Sequence, residues 1–389
     1  MKLYCFNPEH DLAIANNNEN FQAPESAMLL SSDLALLPAW YADNNSQILS
    51  EQPFVPYLAP AGLKVETVAP YSDLVPSHCT VEPWGWDAAI RKYIIGVGVH
   101  PSSLPDRVRI ERYRCLSHRR TASKAMEYII ASATDSSLLP TPAVELTTMN
   151  EVRRFAAGHA EIVLKSPWSG SGKGVFWSKG PLTQSLAGWC QRVIDKQGCV
   201  MGEAAMDRIQ DFAMEYRCRN GATQFAGYSL FFTEGSGIYR GNRLMSNDRI
   251  AAELQRWLPA DTLQTVQIRT GDFISQYIAP YYDGYVGVDM FIYRNGHDIC
   301  INPAVEVNLR MTMGMVARII SDRYVAPGST GWFSIDHEPP GQLLTDHNVK
   351  MHNNPMTLNA DGLLSSGYLS LCPILPSTVY RACVILSSD

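Results

Sequence analysis

Apolar positions along the chain fall into two kinds of region. Up to about residue 115 they form short runs separated by prolines, with a predicted strand at 2–6 and a predicted helix at 87–94. Further on, the runs lengthen and alternate between strand and helix periods. They predict strands at 160–165, 199–203, 211–219, 223–232, 285–293 and 298–307, and helices at 121–131, 151–157, 181–196, 249–258, 261–278 and 312–321.

Two Asn-Gly pairs predict how some of these strands connect. Asn220-Gly221 and Asn295-Gly296 are typical of tight hairpin turns, so the strands on either side are expected to pair. Residues 204–210 are predicted to be a linker. Residues 233–248 are predicted to be a long, basic, glycine-rich loop, a kind of segment that often carries function. Beyond residue 327 the pattern weakens, and we expect an accessory β segment.

Composition narrows the class of protein. The chain has 389 residues and a net charge of −6, with 46% hydrophobic and 18% charged residues, which is typical of a soluble enzyme of two or three domains. The negative charge argues against a nucleic-acid partner. Nine cysteines without a C-x-x-C pair predict neither a disulfide framework nor a zinc ribbon. Because no run of 18 apolar residues occurs, we expect a cytoplasmic protein with no membrane partner.

A small-residue loop follows the predicted strand that ends at Lys165. Glycines let successive backbone N–H groups turn inward around an anion, and lysines suit phosphate oxygens. The loop does not fit a Walker A motif, because Pro167 stands where that motif needs its first glycine, and Val175 breaks the dinucleotide fingerprint. A plain hairpin turn is the alternative interpretation. The candidate phosphate-binding residues are Lys165, Ser169, Gly170, Ser171, Gly172, Lys173 and Gly174.

Three oxygen-bearing side chains lie on the two strands joined by Asn295-Gly296. Glu306 and Asn308 are two positions apart and therefore point to the same face of their strand. Asp289 lies within the preceding strand. Together they form an all-oxygen set suited to Mg²⁺, with Mn²⁺ as an alternative. The other interpretation is that they face solvent at the strand ends.

The first predicted strand runs directly into Asn7-Pro8-Glu9-His10-Asp11. Asn7 is predicted to cap a helix, with Pro8 at its first position. Glu9, His10 and Asp11 also stand at the end of a strand, where α/β proteins commonly present groups to a ligand. Both interpretations remain open, and we take the three residues as candidate substrate contacts.

The order of these parts resembles the ATP-grasp superfamily, which clamps ATP between two α+β subdomains. The resemblance covers about residues 118–325. It implies an N-terminal pre-ATP-grasp α/β domain at 1–115, a small subdomain with the lid loop at 116–204 and a large subdomain with the Mg²⁺ site at 205–328. A C-terminal accessory β segment at 329–389 would complete the chain.

The resemblance also implies roles for individual residues. A basic residue that opens a helix, Arg120 or Lys124, would contact phosphate together with Lys165 and the loop. Glu203, the backbone of Ala204, Ala205 and Met206, and Asp211 would hold adenine and ribose. Asp289, Glu306 and Asn308 would hold magnesium. Arg310, and with it Arg243 or Arg217, would stabilise charge on the transferred phosphoryl group.

The function that follows is an ATP- and Mg²⁺-dependent ligase. It would activate a small-molecule or peptide carboxylate as an acyl phosphate, which an amine or thiol then attacks. Two alternatives stay open: a small-molecule kinase that uses the same nucleotide clamp, and a non-catalytic nucleotide-binding protein. A homodimer is compatible with each of them.

Overall fold

The computed structural model describes residues 1–50, 68–70, 79–131, 140–170, 174–233 and 239–388. Within these ranges the strands form three sheets of four, four and nine strands, with helices packed on them. The predicted fold class, an α/β domain followed by α+β subdomains and a C-terminal β segment, is confirmed. The domain boundaries inferred from the sequence remain predictions. Every helix among these residues is too short or too polar to cross a membrane.

The first sheet is parallel and belongs to the N-terminal region. Its strands are β1 (Lys2–Cys5), β2 (Ser46–Leu49), β3 (Val68–Pro70) and β4 (Thr80–Pro83), and the helices around it are α1 (His10–Asn16), α2 (Glu25–Asp33), α3 (Ala88–Gly96) and α4 (Arg107–Leu116). The order is β3-β2-β1-β4. Strands β2 and β3 therefore extend the sheet on one side of β1, and β4 lies on its other side. Leu3, Val81 and Ile94 are among the residues of its core.

The second sheet is antiparallel and carries the lid loop, which is the segment 166–174 between two of its strands. Its elements are α5 (Arg120–Ile130), β5 (Val144–Leu146), α6 (Met149–Ala157), β6 (Glu161–Lys165), β7 (Val175–Lys179), α7 (Gln184–Gln197) and β8 (Val200–Ala204). The strand order is β5-β8-β6-β7. The lid loop connects the hairpin β6–β7. Thr148 and Thr183 cap α6 and α7, which explains where these helices begin.

The third sheet holds nine strands in the order β13-β12-β9-β10-β11-β14-β17-β16-β15. Both predicted hairpins are present. Asn220 and Gly221 adopt φ of 52° and 76°, the left-handed conformation that such a turn requires. The elements are β9 (Asp207–Arg219), β10 (Ala222–Thr233), β11 (Tyr239–Leu244), α8 (Asn247–Leu254), α9 (Ala260–Tyr277), β12 (Gly284–Asn295), β13 (Asp298–Asn308), α10 (Met313–Tyr324), β14 (Ser329–His337), α11 (Gln342–Asn353), β15 (Thr357–Leu358), β16 (Leu364–Ser370) and β17 (Tyr380–Ser388).

Helix α5 connects the second and third sheets. Its buried residues Ala122, Met126 and Ile129 belong to the same core as strand residues Met214 and Val288. The helix packs directly on β13. This packing brings the residue before α5, Arg119, over the end of β13 that carries Glu306.

Three local predictions were wrong. The predicted linker is already strand from Asp207, because β12 supplies backbone partners for it. The predicted loop at 233–248 contains β11, whose polar sequence gave no strand signal but whose backbone pairs with both β10 and β14. Asn7 does not cap α1, whose N-cap is Glu9. Its amide instead bonds the backbone of Gly85, which is distant in sequence.

Candidate active site

The predicted magnesium residues lie together at one end of the hairpin β12–β13. Asp289 and Glu306 are direct partners across the two strands. The Asn308 amide donates to Asp289 Oδ2 at 3.2 Å. Burial, and after it the charge of Glu306, raises the pKa of Asp289 to about 7. Two close acids in a desolvated place favour a bound cation, because each makes the other's negative charge costly.

Arg119 reaches this acidic pair and was missed by the sequence analysis. Its Nη1 lies 3.0 Å from Glu306 Oε2, and its Nε donates to the Ser166 carbonyl at 3.0 Å. Its Nη2 donates to Ser169 Oγ at 3.2 Å. The side chain is only 7% exposed. Arg119 therefore connects the acids on β13 with the segment that opens the lid loop.

Lys165 ends β6 and faces Glu203 on β8. The distance between its Nζ and Glu203 Oε1 is 2.5 Å, and the two side chains are 4% and 10% exposed. Burial lowers the pKa of Lys165, and the charge of Glu203 opposes that shift. The pair places a cation and an acid on neighbouring strands of the second sheet, and their nucleotide roles remain predictions.

Part of the lid loop contacts the N-terminal region. Ser169 receives the hydrogen bond from Arg119, and a Cβ at Gly170 would collide with the Asp11 carboxylate. Only a glycine allows so close an approach at that position. At the other end of the loop, the Gly174 carbonyl accepts from the Ser166 N–H at 2.9 Å. The predicted phosphate contacts Ser171, Gly172 and Lys173 lie outside the described residues.

Arg310 holds Asp11 through both carboxylate oxygens. The distances from its Nε and Nη2 to Asp11 Oδ1 and Oδ2 are 2.9 Å each. Burial opposes ionisation of Asp11, but the charge of Arg310 overcomes it and lowers the pKa of this carboxyl. The predicted substrate segment, Glu9 to Asp11, therefore lies against Arg310, two positions after Asn308.

His10 is buried and Glu9 is half-buried beside Asp11. His10 Nδ1 lies 3.2 Å from Asp87 Oδ2. Burial raises the pKa of Glu9 to about 7, and its Oε2 has no hydrogen-bond partner. Asp87 was not among the predicted site residues. It was assigned only to the start of a helix, which it does cap.

Two clefts flank the Arg119–Glu306 pair. Both are shallow and open to solvent, and candidate site residues line more of the first than of the second. The lining of the first cleft includes His10, Asp11, Ser169, Glu306, Asn308 and Arg310, and that of the second includes Arg119, Ser123, Lys165, Met201, Glu203 and Val305.

The other predicted adenine and ribose contacts come shortly after Glu203, which lines the second cleft. Ala204 ends β8, and the Ala205 N–H is already bonded to the Glu161 carbonyl at 3.0 Å. Met206 packs against the aromatic cluster around Phe291. Asp211 lies within β9, where it accepts from Thr233 Oγ1 at 2.8 Å. The nucleotide roles of these residues remain predictions.

Four predicted cations make their described contacts elsewhere. Arg120 pairs with Glu145 at 3.0 Å, and Lys124 adds to the positive charge around His118. Arg217 lies over the ring of Tyr285, and Arg243 over the ring of Trp332. None of these contacts reaches Asp289 or Glu306. It is Arg119, next to Arg120 in sequence, that enters the candidate site.

Cys199, His118 and Glu145 form a cluster near α5 whose donor atoms lie within 4.8 Å of one another. His118 Nδ1 accepts the backbone N–H of Arg120 at 2.9 Å. Its Nε2 is the nitrogen that faces Cys199 and that a metal would need. The guanidinium of Arg120 also lies 3.1 Å from that nitrogen. The cluster is thus built around an arginine and not around a metal.

Glu215 is a further buried acid that the sequence analysis missed. Its Oε1 accepts from Thr312 and Ser229 at 3.0 and 3.2 Å, whereas its Oε2 has no hydrogen-bond partner. Burial, and after it the charge of Asp289, raises the pKa of Glu215 to about 8. Its place within β9, among alternating apolar residues, gave no signal beyond the acid itself.

Solved structures of several enzymes are similar to this chain. N5-carboxyaminoimidazole synthetase of Staphylococcus aureus has a TM-score of 0.48 and 11% identity, covering 100% of this chain and 94% of that one. For biotin carboxylase of Campylobacter jejuni the TM-score is 0.47 and the identity 12%, covering 80% and 71%. For D-alanyl-alanine synthetase A of Vibrio cholerae they are 0.44 and 16%, covering 83% and 92%.

These solved structures are of ATP-grasp enzymes, the superfamily that the sequence resembles. No protein-family model matches the chain, and no curated protein matches it. Because identities are at most 16% and TM-scores stay below 0.5, the functional argument rests on the geometry of the candidate site.

Proposed function

We propose that this chain is an ATP- and Mg²⁺-dependent ligase that activates a carboxylate as an acyl phosphate for attack by an amine or thiol. One observation carries the proposal: the Arg119–Glu306 pair, with Asp289 and Asn308 beside it, stands between two clefts. Phosphoryl transfer needs a cationic and metal-binding centre between a donor and an acceptor. This arrangement places one cleft on each side of that centre.

The second cleft suits the nucleotide. Lys165 and Arg119 line it and can neutralise phosphate oxygens, while Glu203 fixes the position of the lysine. Ser169 and Gly170 begin the lid at the edge of the first cleft, close to the acids. The remaining lid residues, Ser171, Gly172 and Lys173, would extend the cradle toward the β- and γ-phosphates. Closure of such a lid protects an acyl phosphate from water.

The oxygen donors of Asp289, Glu306 and Asn308 fit Mg²⁺, and the same set would accept Mn²⁺. The fit rests on the cross-strand pairing of Asp289 with Glu306 and on the 3.2 Å hydrogen bond from Asn308 to Asp289, which bring the three side chains to one place. Bound magnesium would neutralise the charge that develops on the transferred phosphoryl group. Arg119 is placed to hold the Glu306 carboxylate in position beside it.

The first cleft suits the carboxylate and its attacking nucleophile. Arg310 lines it, and because its N–H groups are engaged by Asp11 and the Met311 carbonyl, it would act on an acyl or phosphoryl oxygen through its positive charge. Arg217 and Arg243 have no part in this arrangement. The substrate is therefore an acid that enters from the side of the N-terminal region.

A screen of carboxylates, with and without amines, tests the proposal. Phosphate release from Mg²⁺–ATP would be measured for the native chain and for Glu306→Ala, which removes a predicted metal ligand. We expect at least one acid to stimulate release in the native chain alone. A stable phosphorylated product would instead favour the kinase alternative, and release that never exceeds the Glu306→Ala level would contradict a catalytic role.

A further inference from the structure

The order of the first sheet marks a binding crevice in the N-terminal region. Strands β2 and β3 extend the sheet on one side of β1, and β4 lies on the other. In open parallel sheets, ligands bind outside the carboxyl ends of the strands where the order reverses in this way. The segment that leaves β1 carries Glu9, His10 and Asp11, and the segment that leaves β4 carries Asp87. Nothing in the proposed phosphoryl transfer uses His10, Glu9 or Asp87.

Asp87 fixes both the position and the tautomer of His10. Its Oδ1 accepts the N–H groups of Ala89 and Ile90 at 2.8 and 2.9 Å. Its Oδ2 faces the amide of Asn7 at 3.4 Å and His10 Nδ1 at 3.2 Å. A carboxylate can only accept hydrogen bonds. His10 Nδ1 must therefore carry the proton that it shares with Asp87. Nε2 of the neutral ring then keeps its lone pair.

The ring of His10 is held against the backbone of Gly85. A Cβ at Gly85 would lie 2.5 Å from His10 Cγ and 2.7 Å from Nε2. Both side chains of the His10–Asp87 pair are 3% exposed, and His10 lines the first cleft together with Glu306 and Arg310. A buried imidazole with a fixed donor side and a free lone pair is the arrangement of a general base.

Charged groups around His10 indicate what it acts on. Asp87 faces it from the start of α3, while Glu9 and Asp11 flank it in its own segment, and Arg310 lies beyond Asp11. Asp11 is neutralised by Arg310 and Asp87 is shared with His10, so Glu9, whose Oε2 has no hydrogen-bond partner, is the acid that a cation would meet beside the imidazole. An amine that reaches the first cleft as an ammonium ion fits this environment, and it must lose a proton before it can attack a carbonyl carbon.

Resting on the proposed ligase function, we propose that His10, held by Asp87, is the general base for a primary amine acceptor that enters the first cleft as an ammonium ion. The ammonium gives one proton to His10 Nε2. Its freed lone pair forms the bond to the acyl carbon, and the bond from that carbon to the phosphate oxygen breaks. The nitrogen's second proton leaves with the released phosphate, and His10 returns its own to solvent.

The experiment compares two nucleophiles in the full chain. Methylamine is a cation at pH 7 and needs a base, whereas hydroxylamine is neutral and does not. His10→Asn keeps a donor for Asp87 but has no basic nitrogen. We expect this variant to lose about 100-fold in kcat with methylamine and to change less than about threefold with hydroxylamine. His352→Asn, an exposed histidine on α11, is the control.

Equal losses with both nucleophiles would overturn the proposal. A second measurement, of the protonation state of His10, needs neither substrate nor turnover. In the ¹⁵N spectrum of histidine-labelled protein, His10 is expected as the Nδ1–H tautomer with an unprotonated Nε2, and Asp87→Asn is expected to disturb that state. A proton on Nε2 at pH 7 to 8 contradicts a base role. If no carboxylate supports turnover in the native chain, the proposed ligase function fails, and the spectrum still decides the state of His10.

Discussion

Arg310 donates hydrogen bonds of 2.9 Å to both oxygens of Asp11, a residue 299 positions away in the sequence. The two side chains are 16% and 23% exposed, so the pair is largely shielded from water. It ties the N-terminal parallel sheet to the strand that carries Glu306 and Asn308. The position of the N-terminal sheet relative to Glu306 and Asn308 therefore depends on this pair.

Removal of either partner is expected to destabilise the chain. Because a shielded charge is left without its partner, Asp11→Ala and Arg310→Ala should each lower the free energy of unfolding by about 1–3 kcal/mol. The double variant should lose less than the sum of the two. Urea unfolding in a double-mutant cycle measures this, and additive losses would show that the two residues are not coupled.

The same pair has a predictable pH dependence. The charge of Arg310 outweighs burial and lowers the pKa of Asp11. Its stabilising contribution is therefore present above the ordinary aspartate pKa of about 4 and is lost as the pH falls through the lower folded value. The coupling in the cycle should be the same at pH 5 and pH 8. A coupling that disappears between those pH values would be inconsistent with a lowered pKa.

Arg119 and Arg120 form a matched pair of neighbours with different expected effects. Arg119 touches Glu306 and Ser169, whereas Arg120 pairs with Glu145 at the surface. We expect Arg119→Lys, which keeps the charge but loses the fork geometry, to lower kcat/KM for ATP by about 100-fold or more, an effect of about 3 kcal/mol. Arg120→Lys should stay within about threefold. A larger effect at Arg120 would favour one of the two phosphate contacts that the sequence predicted, and equal effects would contradict a special role of Arg119.

Glu215 is expected to make the stability depend on pH. Its pKa is raised to about 8 by burial, with Asp289 as a second cause. Since the folded state holds this proton more tightly than the unfolded state, stability falls as the pH rises toward the folded pKa. Glu215→Gln removes that loss. When the pH is raised from 6 to 8, the free energy of unfolding of this variant should therefore improve by about 2–3 kcal/mol relative to the native chain.

Thermal unfolding at the two pH values measures the gain, provided that it is compared with a surface control. Glu161→Gln, at an exposed residue of β6, should show no such change between pH 6 and pH 8. If the two variants behave alike, Glu215 does not carry the buried proton.

The sequence predicted the acid cluster because its members are related locally. Glu306 and Asn308 share a strand face, and the Asn295-Gly296 turn places Asp289 opposite them. Short-range rules of strand geometry decide that these side chains meet. The pairing of the strands of Lys165 and Glu203 was not predicted, because β7 and α7 lie between them.

Contacts between distant segments could not be predicted in this way. The sequence analysis left Arg120 or Lys124 open and missed Arg119, because a step of one residue at the start of α5 turns the side chain to another face, and only packing on β13 selects it. Asn7 matched a helix cap but bonds Gly85, 78 positions away. The bond from His10 to Asp87 joins two segments that only the strand order of the first sheet brings together.

The most direct test of the account follows oxygen from the carboxylate to phosphate. A carboxylate that stimulates phosphate release in the screen would be labelled with ¹⁸O in both oxygens and turned over with Mg²⁺–ATP and an amine. If the chain forms an acyl phosphate at the Glu306 centre, the released phosphate should contain one ¹⁸O per turnover, and Glu306→Ala should abolish the transfer. Released phosphate without ¹⁸O, despite turnover that requires the acid and the amine, would contradict the account.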